Sequence, residues 1–392
     1  MPNSERRGVS ETQSPASDSR GAWYPGLDGV RAVAVLLVFA VHYLLNGKIG
    51  WTGVPIFFVL SGFLITGVLY DNRNEARRFR NFYIRRTLRI FPLFYFIWFC
   101  VLIGAIFLHE QWSPIQLLWP IYLGNFARHL VGTIAVDHIY TKIPWYPIEI
   151  GHFWSLAVEE QFYLLWPLIV FKVSNRKVLI RICVAVMVIV LLLRIGLLFV
   201  LPNSFLQLDF YYRMTFLQAD AFLFGGLLAL LLRGSEEPVV LRFGPRFFWG
   251  ALAVFILASW LNGAGPSLSK VVPTTPWVSA YGFTLVDLVA GGLILCALHT
   301  RNLLYRVLTF SPLRLLGRYS YGFYVYHVLF LPLRIFHLWK HQSTPVAFLF
   351  LCADFLIILA VSAASYHFLE MPFLRLKDRF TVRHKTLVPT SG

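Results

Sequence analysis

The chain has 392 residues, of which 57% are hydrophobic, 17% aromatic and only 14% charged. Soluble domains carry about 25% charged residues. This composition therefore excludes a disordered chain, a coiled coil and an ordinary cytosolic enzyme, and it indicates a polytopic membrane protein. The formal charge of +16 then reads as basic cytoplasmic loops rather than a nucleic-acid surface, and no nucleic-acid partner is expected.

A helix that crosses the ~30 Å hydrocarbon core needs roughly 20 mostly apolar residues. Ten stretches qualify, at roughly 27–46, 51–70, 88–108, 151–171, 179–201, 214–232, 247–263, 280–299, 318–338 and 346–368. Arg334 and Asp354 interrupt the last two. With the N-terminus in the cytoplasm, 26 of the 35 Lys and Arg residues fall on the cytoplasmic side and seven on the other, leaving Arg31 and Arg194 inside spans. Such an imbalance is the positive-inside signature. The expected fold class is an all-α polytopic membrane protein of about ten transmembrane helices with both termini cytoplasmic. Residues 1–26 form a polar N-terminal tail without the apolar stretch of a cleaved signal peptide. Residues 27–373 form one membrane domain, and 374–392 a basic C-terminal tail. The expected location is the cytoplasmic membrane, with lipid as a partner. Cys100, Cys183, Cys296 and Cys352 each stand alone in apolar runs, without metal or redox spacing, and read as small core hydrophobes.

Polar residues inside these spans carry the chemical signal, because ionisable groups in lipid face a protein interior or a wet cavity. Asp28, Arg31 and His42 lie in the first span. The step from Arg31 to His42 is three turns plus ~20°, so the two share a helix face with about 16 Å of rise between them. Asp28 is placed to pair with Arg31. The fourth span opens with His152, Ser155 and Glu159, spaced by three and four residues and so on one face. A His, a Ser and a carboxylate aligned at a boundary suit acid–base work or hydroxyl binding; Glu159 or Glu160 pairing with a cation such as Arg31 is the structural alternative. Glu159 and its neighbour Glu160 point about 100° apart and do not serve one centre.

Ser61-Gly62 in the second span permits close helix approach, and packing is the leading explanation for Ser61, since no base accompanies it in sequence. Arg86 and Arg89 open the third span. Their guanidinium groups could bind phosphates, contact anionic lipid or set topology. Ser320, Tyr324 and His327 form a further face in the ninth span. Asp220, Asp287 and Asp354 are expected to be structural partners of buried Arg or backbone. No phosphate loop, His-Glu-x-x-His or Gly-x-Ser-x-Gly motif occurs, and nothing specifies a metal.

These segments in this order resemble the bacterial integral-membrane acyltransferases known as acyltransferase family 3. The matching pieces are Leu27-Asp-Gly-Val-Arg31 with His42, Phe57-Phe-Val-Leu-Ser-Gly-Phe-Leu-Ile65, Arg86-x-x-Arg89-Ile-x-Pro92, Phe153-Trp-Ser-Leu-Ala-Val-Glu159-Glu-Gln-Phe-Tyr163, Ser320-Tyr-Gly-Phe-Tyr-Val-Tyr-His327 and Glu370-Met-Pro-Phe373. The resemblance covers about residues 26–373. It implies transfer of an acyl group, often acetyl, from a cytoplasmic acyl-CoA to a hydroxyl on a glycan, exported lipid or secreted molecule, with no bound cofactor. Its Arg-x(10)-His pattern falls on Arg31 and His42, and its paired arginines on Arg86 and Arg89.

The expected catalytic residues are His42, Arg31 and Glu159, with His42 the base or acyl relay and Glu159 holding the acceptor or orienting His42. Arg86 and Arg89 are expected to bind donor, and His152, Ser155, Tyr163 and His327 to stand on the acceptor side, His327 as the rival base. Two departures bear on local charge pairing: Gln218 near Asp220, and Met371 after Glu370, both at places where relatives often carry Arg. Few residues follow Glu370, so the esterase-like domain that some relatives append is expected to be absent. A polytopic lipid or glycan transporter is the competing reading; it would more naturally show Gly/Pro-broken helices in two matching halves.

Overall fold

The computed structural model describes residues 24–44, 48–107, 114–132, 137–139, 148–263, 265, 270–330 and 344–380. The long helices among these are α1 (Pro25–Tyr43), α2 (Gly53–Asp71), α3 (Arg78–Phe107), α4 (Trp154–Lys172), α5 (Arg176–Val200), α6 (Ala219–Leu231), α7 (Glu237–Leu261), α8 (Phe283–Leu298), α9 (Ser311–Leu329) and α10 (Thr344–Ser365). A π-type turn at Tyr366–Glu370 leads into α11 (Met371–Phe380). The helices follow the ten expected spans in order. The strand pairing among the described residues is two residues long, His138–Ile139 with Ile148–Glu149. Arg334 and residues 331–338 of the ninth expected span lie outside the described residues.

Seven of these helical segments are long and apolar enough to cross a membrane. The other three expected spans fall on α4, α6 and α9, and each differs for a physical reason. α4 and α9 are diluted by the polar residues that build the site. α6 has 13 residues, about 20 Å of rise, but it is almost wholly buried between neighbours, so lipid thickness does not set its length. The outer helices show the reverse pattern. Phe99 of α3 is 61% exposed, Ile189 of α5 59% and Leu257 of α7 54%. Such apolar flanks suit a surrounding solvent that is itself apolar. The protein is an all-α multi-pass membrane protein.

Two close approaches fix the frame of the site. Gly62 of α2 lies against the Phe222 carbonyl of α6, and Gly225 of α6 against the Val59 carbonyl of α2. A Cβ at either position would overlap backbone, as expected where small residues let helices touch in a membrane. Between α5, α6 and α8 the fully buried Arg194 donates to Asp220 and to the Thr284 hydroxyl (2.6 Å). Arg194 therefore supplies the cation that position 218 lacks, while the Gln218 amide donates to the Tyr211 carbonyl at 2.9 Å.

The chain alternates between two ends. At one, Arg233 pairs with Asp71 and Arg176 with Glu236. At the other, Tyr43 donates to the His327 carbonyl (2.8 Å), Trp51 to the Val271 carbonyl (2.8 Å) and Tyr212 to the Trp51 carbonyl (2.6 Å). On this second end, Arg128 pairs with Asp137 and Asp209 and Arg213 with Asp137, tying the segment around Gly124–Val131 to the one before α6.

Candidate active site

α3 begins at Arg78, ten residues before the expected span. Its basic first three turns are therefore helical, and residues 78, 82, 85, 86 and 89 share one face by the 3.6-residue repeat. That face lines a cavity of about 390 Å³ together with Arg31, Ser61, Glu159, Tyr163, Ser155, Tyr321 and Tyr324. The volume is in the range of small-molecule sites, ~300–1,000 Å³. Six cations line it, Arg31, Arg78, Arg85, Arg86, Arg89 and Lys377, against two carboxylates, Glu75 and Glu159. Lys377 and Leu374 come from α11, so this helix crosses the boundary expected at residue 373 and walls the cavity.

Arg31 is held by Asp28 at 2.6 Å, as its spacing implies. Arg86 stacks over the Tyr163 ring, 4.6 Å from its centre. The Tyr163 hydroxyl donates to Ser61 (3.0 Å), and the Ser61 hydroxyl donates to Glu159 Oε1 (2.7 Å). Glu160 does not line the cavity; its Oε1 is buried without a hydrogen-bond partner among the described residues. Gln161 turns the other way, donating to the Tyr122 carbonyl at 2.7 Å. Tyr321 spans from α9 to α3, donating to the Ile90 carbonyl at 2.7 Å.

The cavity stops at a contact between α4 and α9. The Ser155 and Tyr324 hydroxyls are 2.5 Å apart, and Tyr324 also donates to the His152 carbonyl at 2.9 Å. The Phe57 ring packs edge-on against Tyr324, 6.2 Å between centres. Behind this contact stand three imidazoles. The rings of His42 and His327 are 4.9 Å apart, and those of His327 and His152 are 5.6 Å apart. Each ring bonds a backbone carbonyl: His42 Nδ1 to Val38 (2.9 Å), His327 Nδ1 to Tyr324 (2.6 Å) and His152 Nε2 to Val325 (3.1 Å). A carbonyl only accepts, so these nitrogens carry the protons and the opposite nitrogens carry the lone pairs. Nε2 is thus the basic nitrogen of His42 and of His327.

The structure therefore divides the sequence-derived candidates into two groups. Arg31, Arg86, Arg89, Glu159 and Tyr163 share the cavity; His42, His152 and His327 cluster beyond Ser155. Two expectations need correction. Glu159 does not orient His42, and Tyr163, expected on the acceptor side, lines the cavity between Ser61 and Arg86. α4 runs from the histidine end to the arginine end, so Glu159 sits about 10 Å along the axis from His152, and Tyr163 lies a further turn away. Ser61 and Tyr324 are the residues that sequence reasoning undervalued. Ser61 lacked a visible base because its partner, Glu159, is 98 positions away. Among the described residues, no group of three His, Cys, Asp or Glu side chains is arranged to hold a metal ion.

Apolar-flanked helices around a cationic cavity, with imidazoles beyond its far end, define a multi-pass membrane protein whose site is lined by its helices. A family model described as an acyltransferase domain matches residues 24–366, and the chain belongs to that family. It is 30% identical over 331 residues to the peptidoglycan O-acetyltransferase OatA of Listeria monocytogenes, covering 78% of this chain and 49% of that protein. It is 27% identical over 363 residues to the O-acetyltransferase OatA of Staphylococcus aureus, covering 89% of this chain and 57% of that protein. The chain spans about half the length of these curated relatives. No solved structure matches it.

Proposed function

We propose that this chain is an O-acyltransferase that moves an acyl group, acetyl foremost, from cytoplasmic acyl-CoA to a hydroxyl of a surface or exported glycan or of a lipid-linked acceptor. The observation that carries this reading is the cavity in which Arg31, Arg86 and Arg89 converge on the hydrogen-bonded Ser61–Glu159 pair. A phosphate-bearing donor matches six cations against two carboxylates, and guanidinium groups hold phosphates through planar, charge-assisted bonds. The positive-inside count supports a cytoplasmic arginine end, where acyl-CoA is found. The histidine end then faces outward, where an exported acceptor arrives. The names of the OatA relatives make peptidoglycan or a similar glycan the leading acceptor class.

In this reading Arg86 and Arg89 bind the phosphates, and Arg31, fixed by Asp28, helps to position the donor. His42, with Nε2 as its basic nitrogen, removes the acceptor hydroxyl's proton as that oxygen attacks the acyl carbon. His152, Ser155 and His327 shape the acceptor side. Positioned acid–base groups contribute typically 10²–10⁴-fold.

Purified protein in lipid nanodiscs, given acetyl-CoA and a soluble glycan acceptor, tests the reading by mass spectrometry of the glycan. Glu159→Gln should lower acetylation by about 10²-fold or more, and Glu160→Gln should have a far smaller effect. Absence of glycan acetylation by wild-type protein, or a dead Glu160→Gln beside an active Glu159→Gln, contradicts it.

A further inference from the structure

We propose that Ser61 is a nucleophile that carries the acyl group as an oxygen ester between donor and acceptor. This rests on the acyltransferase reading above and adds an intermediate to it. Ser61 lines the arginine cavity and its hydroxyl donates to Glu159 Oε1 at 2.7 Å. A serine bonded to a base within reach of a bound substrate is the arrangement that activates a hydroxyl. Tyr163 donates to the Ser61 oxygen at 3.0 Å and is itself capped by Arg86. The nucleophile, its base and a donor-binding arginine are therefore one connected unit.

The partition of the site gives this unit a purpose. Ser155 and Tyr324 close the cavity, while the base for the acceptor, His42, lies beyond them. Ser61 and Phe57 are one turn apart on α2, as are Glu159 and Ser155 on α4, so an acyl group on Ser61 lies about 6 Å by helix rise from the closing contact. An ester there lets the coenzyme leave before the contact opens, so no open path joins the two membrane faces while a thioester is bound.

The first step is balanced within the site. Ser61 Oγ forms a bond to the thioester carbonyl carbon, the carbon–sulfur bond breaks, and Glu159 passes the serine proton to the departing thiolate. In the second step the acceptor oxygen bonds the same carbon and the carbon–Oγ bond breaks. The acceptor's proton passes to His42 and from there, through the opened contact, to the departing Ser61 Oγ, so Ser61, Glu159 and His42 all end the cycle in their starting protonation states.

The test uses the full chain in nanodiscs with acetyl-CoA and no acceptor. Wild-type protein should release a burst of one thiol per site, and peptide mass spectrometry should find acetyl on the peptide containing Ser61. Ser61→Cys, which keeps a nucleophile, should trap acetyl as a thioester; Ser61→Ala should give no burst. Acetyl on His42 or Tyr324 instead, or glycan transfer by Ser61→Ala within tenfold of wild type, overturns the proposal while leaving the acyltransferase reading intact. No thiol release by wild-type protein, with or without acceptor, overturns the donor assignment and this proposal with it. The adduct is sought on wild-type protein, so the outcome does not depend on the variants folding.

Discussion

The Ser155 hydroxyl lies 2.5 Å from the Tyr324 hydroxyl, and this contact is the boundary between the two halves of the site. On one side are the arginines and the Ser61–Glu159 pair; on the other are His42, His152 and His327. Tyr324 belongs to both. Its phenol faces the cavity, while its carbonyl accepts the Nδ1 proton of His327 and its hydroxyl donates to the His152 carbonyl. A shift of α9 against α4 that breaks the hydroxyl contact would also strain the bonds of His152 to Tyr324 and to the Val325 carbonyl, which cross the same seam.

His42→Ala should reduce glycan acetylation by about 10²–10⁴-fold, the range for a positioned acid–base group. Insertion and purification should be normal, because the His42 Nδ1 bond to the Val38 carbonyl lies within its own helix and its loss leaves the α1 backbone ladder intact. His327 touches the same ring and is the competing base. An active His42→Ala beside an inactive His327→Ala, measured as initial rates on the same acceptor, would exchange their roles.

Replacing Arg86 and Arg89 by Ala should weaken acetyl-CoA binding. Each hydrogen bond to a charged group contributes roughly 1.5–3 kcal/mol, so each loss should cost about tenfold or more in affinity. Arg89→Lys should fall between wild type and Ala, because an ammonium lacks the planar fork. Calorimetric titration with coenzyme A checks this; an affinity unchanged in the double variant removes the donor site from this cavity.

The Arg194–Asp220 pair should be structural. Both side chains are nearly inaccessible, and removing one partner of a buried pair costs roughly 3–5 kcal/mol. Asp220→Leu alone should lower the thermal unfolding midpoint in detergent, whereas Arg194→Met with Asp220→Leu should recover much of the loss. A double variant no more stable than the single one would show that Thr284 and the surrounding backbone require the charges.

Outside the spans, His129 on the Gly124–Val131 helix offers a pH test. Burial, aided by the Arg213 and Arg128 charges and opposed by Asp137, pushes its imidazole from 6.5 down to about 4. The unfolded chain binds this proton first as pH falls, so the folded state should lose stability progressively from about pH 6.5 to about pH 4. Above that window the contribution is complete. His129→Phe should flatten this part of a stability-against-pH curve measured by chemical denaturation. An unchanged slope would assign the acid sensitivity to other groups.

The sequence alone determined whatever depends on local periodicity and overall solvent preference. Apolar runs marked the helices, because a backbone in lipid must satisfy its hydrogen bonds within its own segment. The 3.6-residue repeat put Arg31 and His42 on one face, predicted the Asp28–Arg31 pair, and aligned His152, Ser155 and Glu159. It could not say which helix each face meets. Ser61 and Glu159 are 98 positions apart and Ser155 and Tyr324 are 169, and no spacing rule reaches that far. Only the approach of α4 to α2 and to α9 decided that Ser61 bonds Glu159, that Glu159 lies with the arginines rather than His42, and that two hydroxyls divide the site. The physical reason is that helix formation is local, whereas the meeting of faces is set by side-chain shape and burial across the whole bundle.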